Sequence, residues 1–295
     1  MSMIYLDNNA TTKPFPEVVE AMTTFMISRF WNASSAYGQM DGLEEVVESA
    51  KAAIRRLSGV GPEDEVVFTS GATESNVWAV TEGARRATGS GWVLSSQVEH
   101  PSVRETLEHL QEQGLVVRWV PVSSDGALDL GELTKLIDSD LRFVSLVFAH
   151  NETGVIQPLK EATALIRERS PGCLIHTDAT QAIGKIPVSF SDDLNEVDLI
   201  SFSGHKFHGP KGIGGLIIRN EVLIQPLIRG GGQQNDFRSG TLNMPAIAGI
   251  SVAANKCWEL LQKKQYESVR AVRDHFEEHI RLIFPDAFIL GAEVQ

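Results

Sequence analysis

The sequence predicts an α/β fold, a mostly parallel sheet covered by helices. Three observations carry that prediction. Short apolar, β-rich runs alternate with amphipathic helical stretches through most of the chain. The alternation holds until about residue 245 and then gives way to helix. With 295 residues, 42% of them hydrophobic, the chain can bury a large core and fits one large domain plus a smaller one.

In chain order, the first strand is Glu65–Thr69, and a helix over Glu74–Ala87 follows it. Trp92–Ser95 is the second, followed by a helix over Ser102–Gln113, and Val116–Pro121 is the third. Phe143–Phe148 precedes a helix over Leu159–Arg169, and Leu174–Thr177, Leu199–Phe202 and Gly214–Ile218 complete a set of seven. Gly230, Gly231 and Gly232 mark a flexible cluster. Pro245 to Ile283 reads as one long helical stretch leading into a peripheral subdomain, and Phe288–Gln295 reads as the opening strand and turn of an interrupted element. The expected division is a large domain over 15–250, with 1–14 and 251–295 forming a smaller, incomplete α+β domain.

Composition excludes several function classes. A formal charge of −12, with no basic run, argues against a nucleic-acid partner. No apolar run reaches the roughly 18 residues of a membrane span, and MSMIYLDNNATTKP has no signal-peptide pattern, so a cytoplasmic protein without membrane attachment is expected. Cys173 and Cys257 fit neither a disulfide framework nor a metal-ligand spacing; no metal site is expected and both read as reduced, buried thiols.

The chemistry concentrates after the strands. In SFSGHKFHGPKGIGG, Ser201 to Gly215, a strand runs into a Gly-rich turn bearing Ser203, His205, Lys206, His208 and Lys211. Burial or a neighbouring cation lowers a lysine pKa and makes the amine a nucleophile, whereas an isolated HK pair is more often a solvated turn. In LIHTDATQAIGK, Asp178 ends another strand and Gln181 follows it. A carboxylate there suits a protonated pyridine nitrogen, so Lys206 with Asp178 is the minimal constellation for pyridoxal 5′-phosphate (PLP); alone, Asp178 is equally well a helix N-cap. In FTSGATESN, Gly71, Ala72 and Thr73 open a helix and can offer backbone N–H groups to a phosphate. His100 in VEHPSV offers a ring to stack on a pyridine, and Asn151 in AHNETG offers an amide. Thr73, His100, Asn151, Asp178 and Lys206 all follow strand ends, the rim where open α/β sheets bind ligands.

With those residues together, the chain resembles the cysteine desulfurases, PLP enzymes of fold type I in the class V aminotransferase superfamily. The matching phrases are YLDNNATT, FTSGATESN, Glu99–His100, HNETG, HTDATQ, SGHKFHGPKGIGG and GGGQ…RSGT, spanning Tyr5 to Thr241. The resemblance implies that Lys206 carries the cofactor and moves protons, that His100 stacks on its ring, and that Asp178 pairs with the pyridine nitrogen. It gives Gln181 to the phenolic oxygen, Asn151 to the ring oxygen and substrate, and Ala72, Thr73, Ser203 and His205 to the phosphate. Thr241 would reach the phosphate of the second subunit in a homodimer.

The implied reaction takes sulfur from L-cysteine, leaving L-alanine and an enzyme persulfide, and supplies a sulfur-acceptor or iron–sulfur scaffold protein. The family's mobile cysteine loop and carboxylate-binding arginine come after the RSGT motif, and the sequence reaches Gln295 before either. The chain alone is therefore expected to bind PLP without completing turnover. Gln234, Asn235 and Asp236 also depart from the family pattern. The alternatives are another class V PLP enzyme, such as a selenocysteine lyase or an aminotransferase, and a non-catalytic PLP-binding relative; HNETG and FHGPKGIGG favour the desulfurase branch.

Overall fold

The computed structural model describes residues 4–291. Seven strands form one sheet: β1 (Glu65–Thr69), β2 (Trp92–Ser96), β3 (Val117–Val120), β4 (Leu141–Val147), β5 (Leu174–Asp178), β6 (Leu199–Ser203) and β7 (Gly214–Ile218). Their order is β1-β7-β6-β5-β4-β2-β3. Pairings among β3, β2, β4, β5 and β6 are parallel, and β7 runs antiparallel to both β6 and β1. That polarity decides where the site lies. β1, β2, β4, β5 and β6 all end on one rim, and β7 begins there, with Gly214 opposite both Thr69 and Ser203.

Every residue of β2, β5, β6 and β7 is buried, so these strands do not alternate buried apolar with exposed polar positions, and their polar residues, such as Ser95, His176, Thr177 and Ser201, are buried with the rest. Helices α4 (Ala72–Ala87) and α5 (Pro101–Glu112) cover one face through Trp78, Ala79, Val103 and Leu107. The larger core on the other face takes residues from α1 (Pro16–Ile27), α3 (Leu43–Ser58), α7 (Leu159–Arg169) and α8 (Met244–Gln262). The short helices α2 (Ala36–Met40) and α6 (Leu130–Leu136) begin at Ser35 and Asp129, whose side chains accept from the Gly38 and Glu132 N–H groups.

The seven strands stand where the sequence puts them, within two residues at each end. Two expectations change. The stretch Pro245–Ile283 is two helices, α8 and α9 (Gln265–Ile283), because Lys264 takes a left-handed backbone (φ 55°) that a continuing helix cannot contain. The opening strand expected at Phe288 does not form over its described part: Phe288 is exposed and Leu290–Gly291 turn, while residues 292–295 lie outside the described range. No described residue of α9 is buried, and Val269, Val272, Phe276 and Ile283 form an exposed apolar stripe along it.

Candidate active site

The rim of the sheet encloses a cavity of about 700 Å³. Its wall includes Ala72, Thr73, His100, Asn151, Asp178, Gln181, Ser203, His205 and Lys206, nine of the ten residues expected to form the site. Thr241, the tenth, is exposed and lies outside this wall.

At one end stands the start of α4. Gly71 supplies no side-chain cap, and Ser75 N–H is the first to close back onto Gly71 O, so the N–H groups ahead of it are free for an anion. The helix begins at Ala72, two residues before the expected Glu74, which puts Ala72 and Thr73 inside its first turn. Close approach of this turn to β7 requires glycine at 214, where a Cβ would stand 2.8 Å from Gly71 Cα and 2.4 Å from Phe202 O. Glu74 anchors the turn from behind, accepting from Ser70 N–H at 2.9 Å and pairing with Arg238 at 2.8 Å. Burial alone would raise the Glu74 pKa, but Arg238 and Ser70 hold it below its ordinary value.

At the deep end, Asp178 closes β5 and is almost wholly buried. Its carboxylate accepts from Asn76 Nδ2 at 2.7 Å and from Thr180 N–H at 3.0 Å, so it caps a turn and still faces the cavity. Asn76 also donates to Ser102 Oγ at 2.9 Å, and Ser102 lies 2.8 Å from His100 Nδ1. Ser102 N–H donates to that same nitrogen, so Nδ1 is an acceptor and the ring N–H lies on Nε2. Beneath Asp178, His176 lies between Ser145 and Ser201 hydroxyls at 2.9 Å each, and burial pushes its pKa down to about 4. Glu99, also buried, accepts from Ser96 Oγ at 2.6 Å and Val147 N–H at 2.8 Å; burial, with the Asp178 charge nearby, pushes its pKa up to about 8.

Between the two ends, Lys206 sits on a single 3₁₀ turn after β6. Its ammonium donates to the carbonyls of Asn9 and, at 3.0 Å, of Ala10. The residues before α1 strap across the cavity here. Thr12 N–H donates to His205 O at 2.9 Å, Thr12 Oγ accepts from His208 N–H at 2.7 Å, and Thr11 Oγ lies 3.1 Å from His205 Nδ1. Burial lowers the Lys206 pKa while Asp178 and Asp7 oppose it. Desolvation is the largest depressing influence, and the nearby Lys185 ammonium, itself lowered by burial and by Lys206, repels the Lys206 charge in return. His205 is held neutral by burial and by Lys206, Lys211 and Lys185.

Asn9, Asn76, Glu99, His176 and Lys185 were not expected as site residues. Asn9, Asn76, Glu99 and His176 stand inside phrases that carry the resemblance, so their positions were visible although their partners were not. Three buried polar atoms cluster around this floor without a hydrogen-bond partner: Asn76 Oδ1, Glu99 Oε2 and Thr180 Oγ1. Of these residues Thr180 lines the cavity, and Asn76 and Glu99 lie behind its wall. An anion-binding helix start at one end, a buried acid at the other and an amine between them match the three functional groups of PLP.

An aminotransferase class-V family model matches residues 4–283, and the chain belongs to that family. Within it, the chain is an enzyme of the cysteine desulfurase group. The cysteine desulfurase of Cereibacter sphaeroides is 40% identical over 292 residues, which span 99% of this chain and 73% of that protein. A solved structure titled as a NifS-like protein is 41% identical with a TM-score of 0.84, covering 89% of this chain and 71% of its own. A structure of SspA in complex with cysteine is 32% identical with a TM-score of 0.80, covering 85% and 72%.

Proposed function

We propose that the cavity holds PLP on Lys206 and that the enzyme draws sulfur from L-cysteine, giving L-alanine and a persulfide. The observation that carries this reading is the convergence of Lys206, Asp178 and the uncapped start of α4 on one cavity. When bound, PLP supplies an electron sink. The first turn of α4, Ser203 and neutral His205 would hold its phosphate; Asp178, fixed by Asn76, would hold a proton on the ring nitrogen. His100 would cover the ring and Gln181 and Asn151 would meet its oxygen side. Lys206, its pKa lowered by burial, is suited to exchanging a proton with the substrate.

A thiol that accepts the sulfur must be a thiolate. Cys173 and Cys257 are 1% exposed each, and burial pushes both pKa values up to about 12. Neither is the acceptor on this reading. The cysteine-bound structural relative supports the substrate. We also read the enzyme as a cytoplasmic homodimer that passes sulfur to an acceptor or iron–sulfur scaffold protein. The exposed Thr241, outside its own cavity wall, suits a role in a second subunit, and no described helix is long and apolar enough to cross a membrane. The division into 15–250 and 1–14 with 251–295 belongs to the same reading, with α8 crossing between the parts and the uncovered stripe of α9 supporting it.

Adding PLP should produce the visible absorbance of lysine-bound cofactor, and Lys206→Ala should abolish it. A band that survives that substitution refutes the assignment of Lys206. With an added thiol acceptor, cysteine should yield alanine and persulfide sulfur; amino-group transfer without sulfur release refutes the proposed reaction.

A further inference from the structure

Lys185 stands behind the cavity wall, and nothing in the resemblance gives it a role. It is half-buried at the end of the turn after β5. Gly184, with φ 78°, lets that turn approach Phe207, the residue after Lys206; a Cβ at 184 would stand 2.6 Å from Phe207 Cβ. The approach brings the Lys185 ammonium onto two side-chain amides. It donates to Asn9 Oδ1 at 2.9 Å and to Gln181 Oε1. The opposite end of each amide meets a backbone carbonyl: Gln181 Nε2 donates to Asn9 O at 2.9 Å, and Asn9 Nδ2 donates to Asn151 O at 3.2 Å.

The donor inventory makes these orientations unique. An ammonium only donates and a backbone carbonyl only accepts, so each amide must turn oxygen to Lys185 and nitrogen to the carbonyl. Flipping either one sets an NH₂ group against an ammonium. Gln181 Nε2 carries two hydrogens; Asn9 O takes one and the other is available to a ligand in the cavity that Gln181 lines. We propose that Lys185 is a positioning residue that locks the Gln181 and Asn9 amides, so that Gln181 presents N–H and not C=O to the cofactor's phenolic oxygen. Burial and the Lys206 charge push the Lys185 pKa down to about 8, so it is still an ammonium at neutral pH.

This inference rests on the PLP reading above, and the test separates the two. The readout is the pH at which the visible band of lysine-bound PLP titrates, measured on wild type, Lys185→Met, Gln181→Ala and the double variant. A hydrogen bond from Gln181 favours the deprotonated oxygen. Lys185→Met should therefore raise the midpoint by about one pH unit, the worth of one hydrogen bond to a charged group. In the Gln181→Ala background the same substitution should move it by less than a third of that. Should Lys185→Met fold poorly by thermal melting, Lys185→Leu, which likewise donates no hydrogen bond, carries the same expectation. An unchanged midpoint in the single variant overturns the role of Lys185 and leaves the cofactor reading standing. An equal rise with and without Gln181 also overturns it, because it reports only the loss of a nearby charge. A wild-type protein that shows no visible band with PLP overturns both.

Discussion

Replacing Glu99 by Gln tests whether the floor of the cavity is as dry as its hydrogen bonds imply. Glu99 is 4% exposed, one carboxyl oxygen accepts two hydrogen bonds, and the other has no partner. Burial, aided by the Asp178 charge, raises its pKa from the ordinary 4.5 to about 8. A raised carboxyl pKa means that the folded state holds the proton more tightly than the unfolded chain. The stability this brings is fully present below pH 4.5 and is lost as pH rises through about 8. At about 1.4 kcal/mol per pH unit the loss is about 5 kcal/mol over the whole window. His176, depressed to about 4, adds an opposite slope only below its ordinary 6.5, and Lys185, depressed to about 8, adds one only above 8. Between pH 6.5 and 8 Glu99 therefore dominates, and wild-type stability should fall by about 2 kcal/mol across that interval. Urea unfolding of the PLP-free protein at half-unit steps measures this. Glu99→Gln keeps the acceptor for Ser96 and Val147 and has no proton to lose, so its profile should be flat there. A wild-type profile as flat as the variant's would refute a buried, neutral Glu99.

Three further outcomes follow from the geometry. Gly214→Ala drives a methyl into Phe202 O and Gly71 Cα; it should cost about 1–3 kcal/mol of stability and weaken PLP binding at least several-fold, read by thermal melting and absorbance titration. Gln234→Ala removes the amide that pairs with both Phe68 N–H at 2.7 Å and Phe68 O at 2.9 Å; about 1–2 kcal/mol should be lost, and limited proteolysis should open the chain between residues 230 and 241 while sparing α4. Cys173 and Cys257 should resist alkylation in the folded protein at pH 8 and react rapidly in urea; fast labelling of either in the native state would contradict their burial and raised pKa.

The sheet was legible because the strands are short, largely buried runs rich in apolar and β-branched residues, a pattern that survives without any knowledge of pairing. Strand direction was not. β7 is a short buried run like its neighbours, and only the hydrogen-bond register shows that it runs backwards and brings Gly214 to the rim. The break between α8 and α9 was hidden for a related reason. Lys263 and Lys264 carry no helix-stopping chemistry, and the turn there places a lysine at φ 55°, a conformation that composition would assign to glycine.

At the site, Thr73, His100, Asn151, Asp178 and Lys206 could be found because one rule places them, each at or just past the end of a strand on the same rim, whereas Asp7, Asn9, Ala10 and Thr11 reach the cavity from the segment before α1. The supporting residues obey no such rule. Asn76 lies on the buried side of α4 and reaches Asp178 across 102 positions of sequence, and Asn9 reaches Gln181 across 172. A side chain of this kind is selected by its partner's donor or acceptor character, which sequence spacing does not encode. The consequence for function is specific. On the proposed reading the cavity-facing set selects the cofactor and the second set tunes its protonation, because Asn76 bonds Asp178 and Lys185 bonds Gln181. Substitution of Lys206 should therefore abolish the visible band, and substitutions of Asn76 or Lys185 should keep it and move the pH at which it titrates.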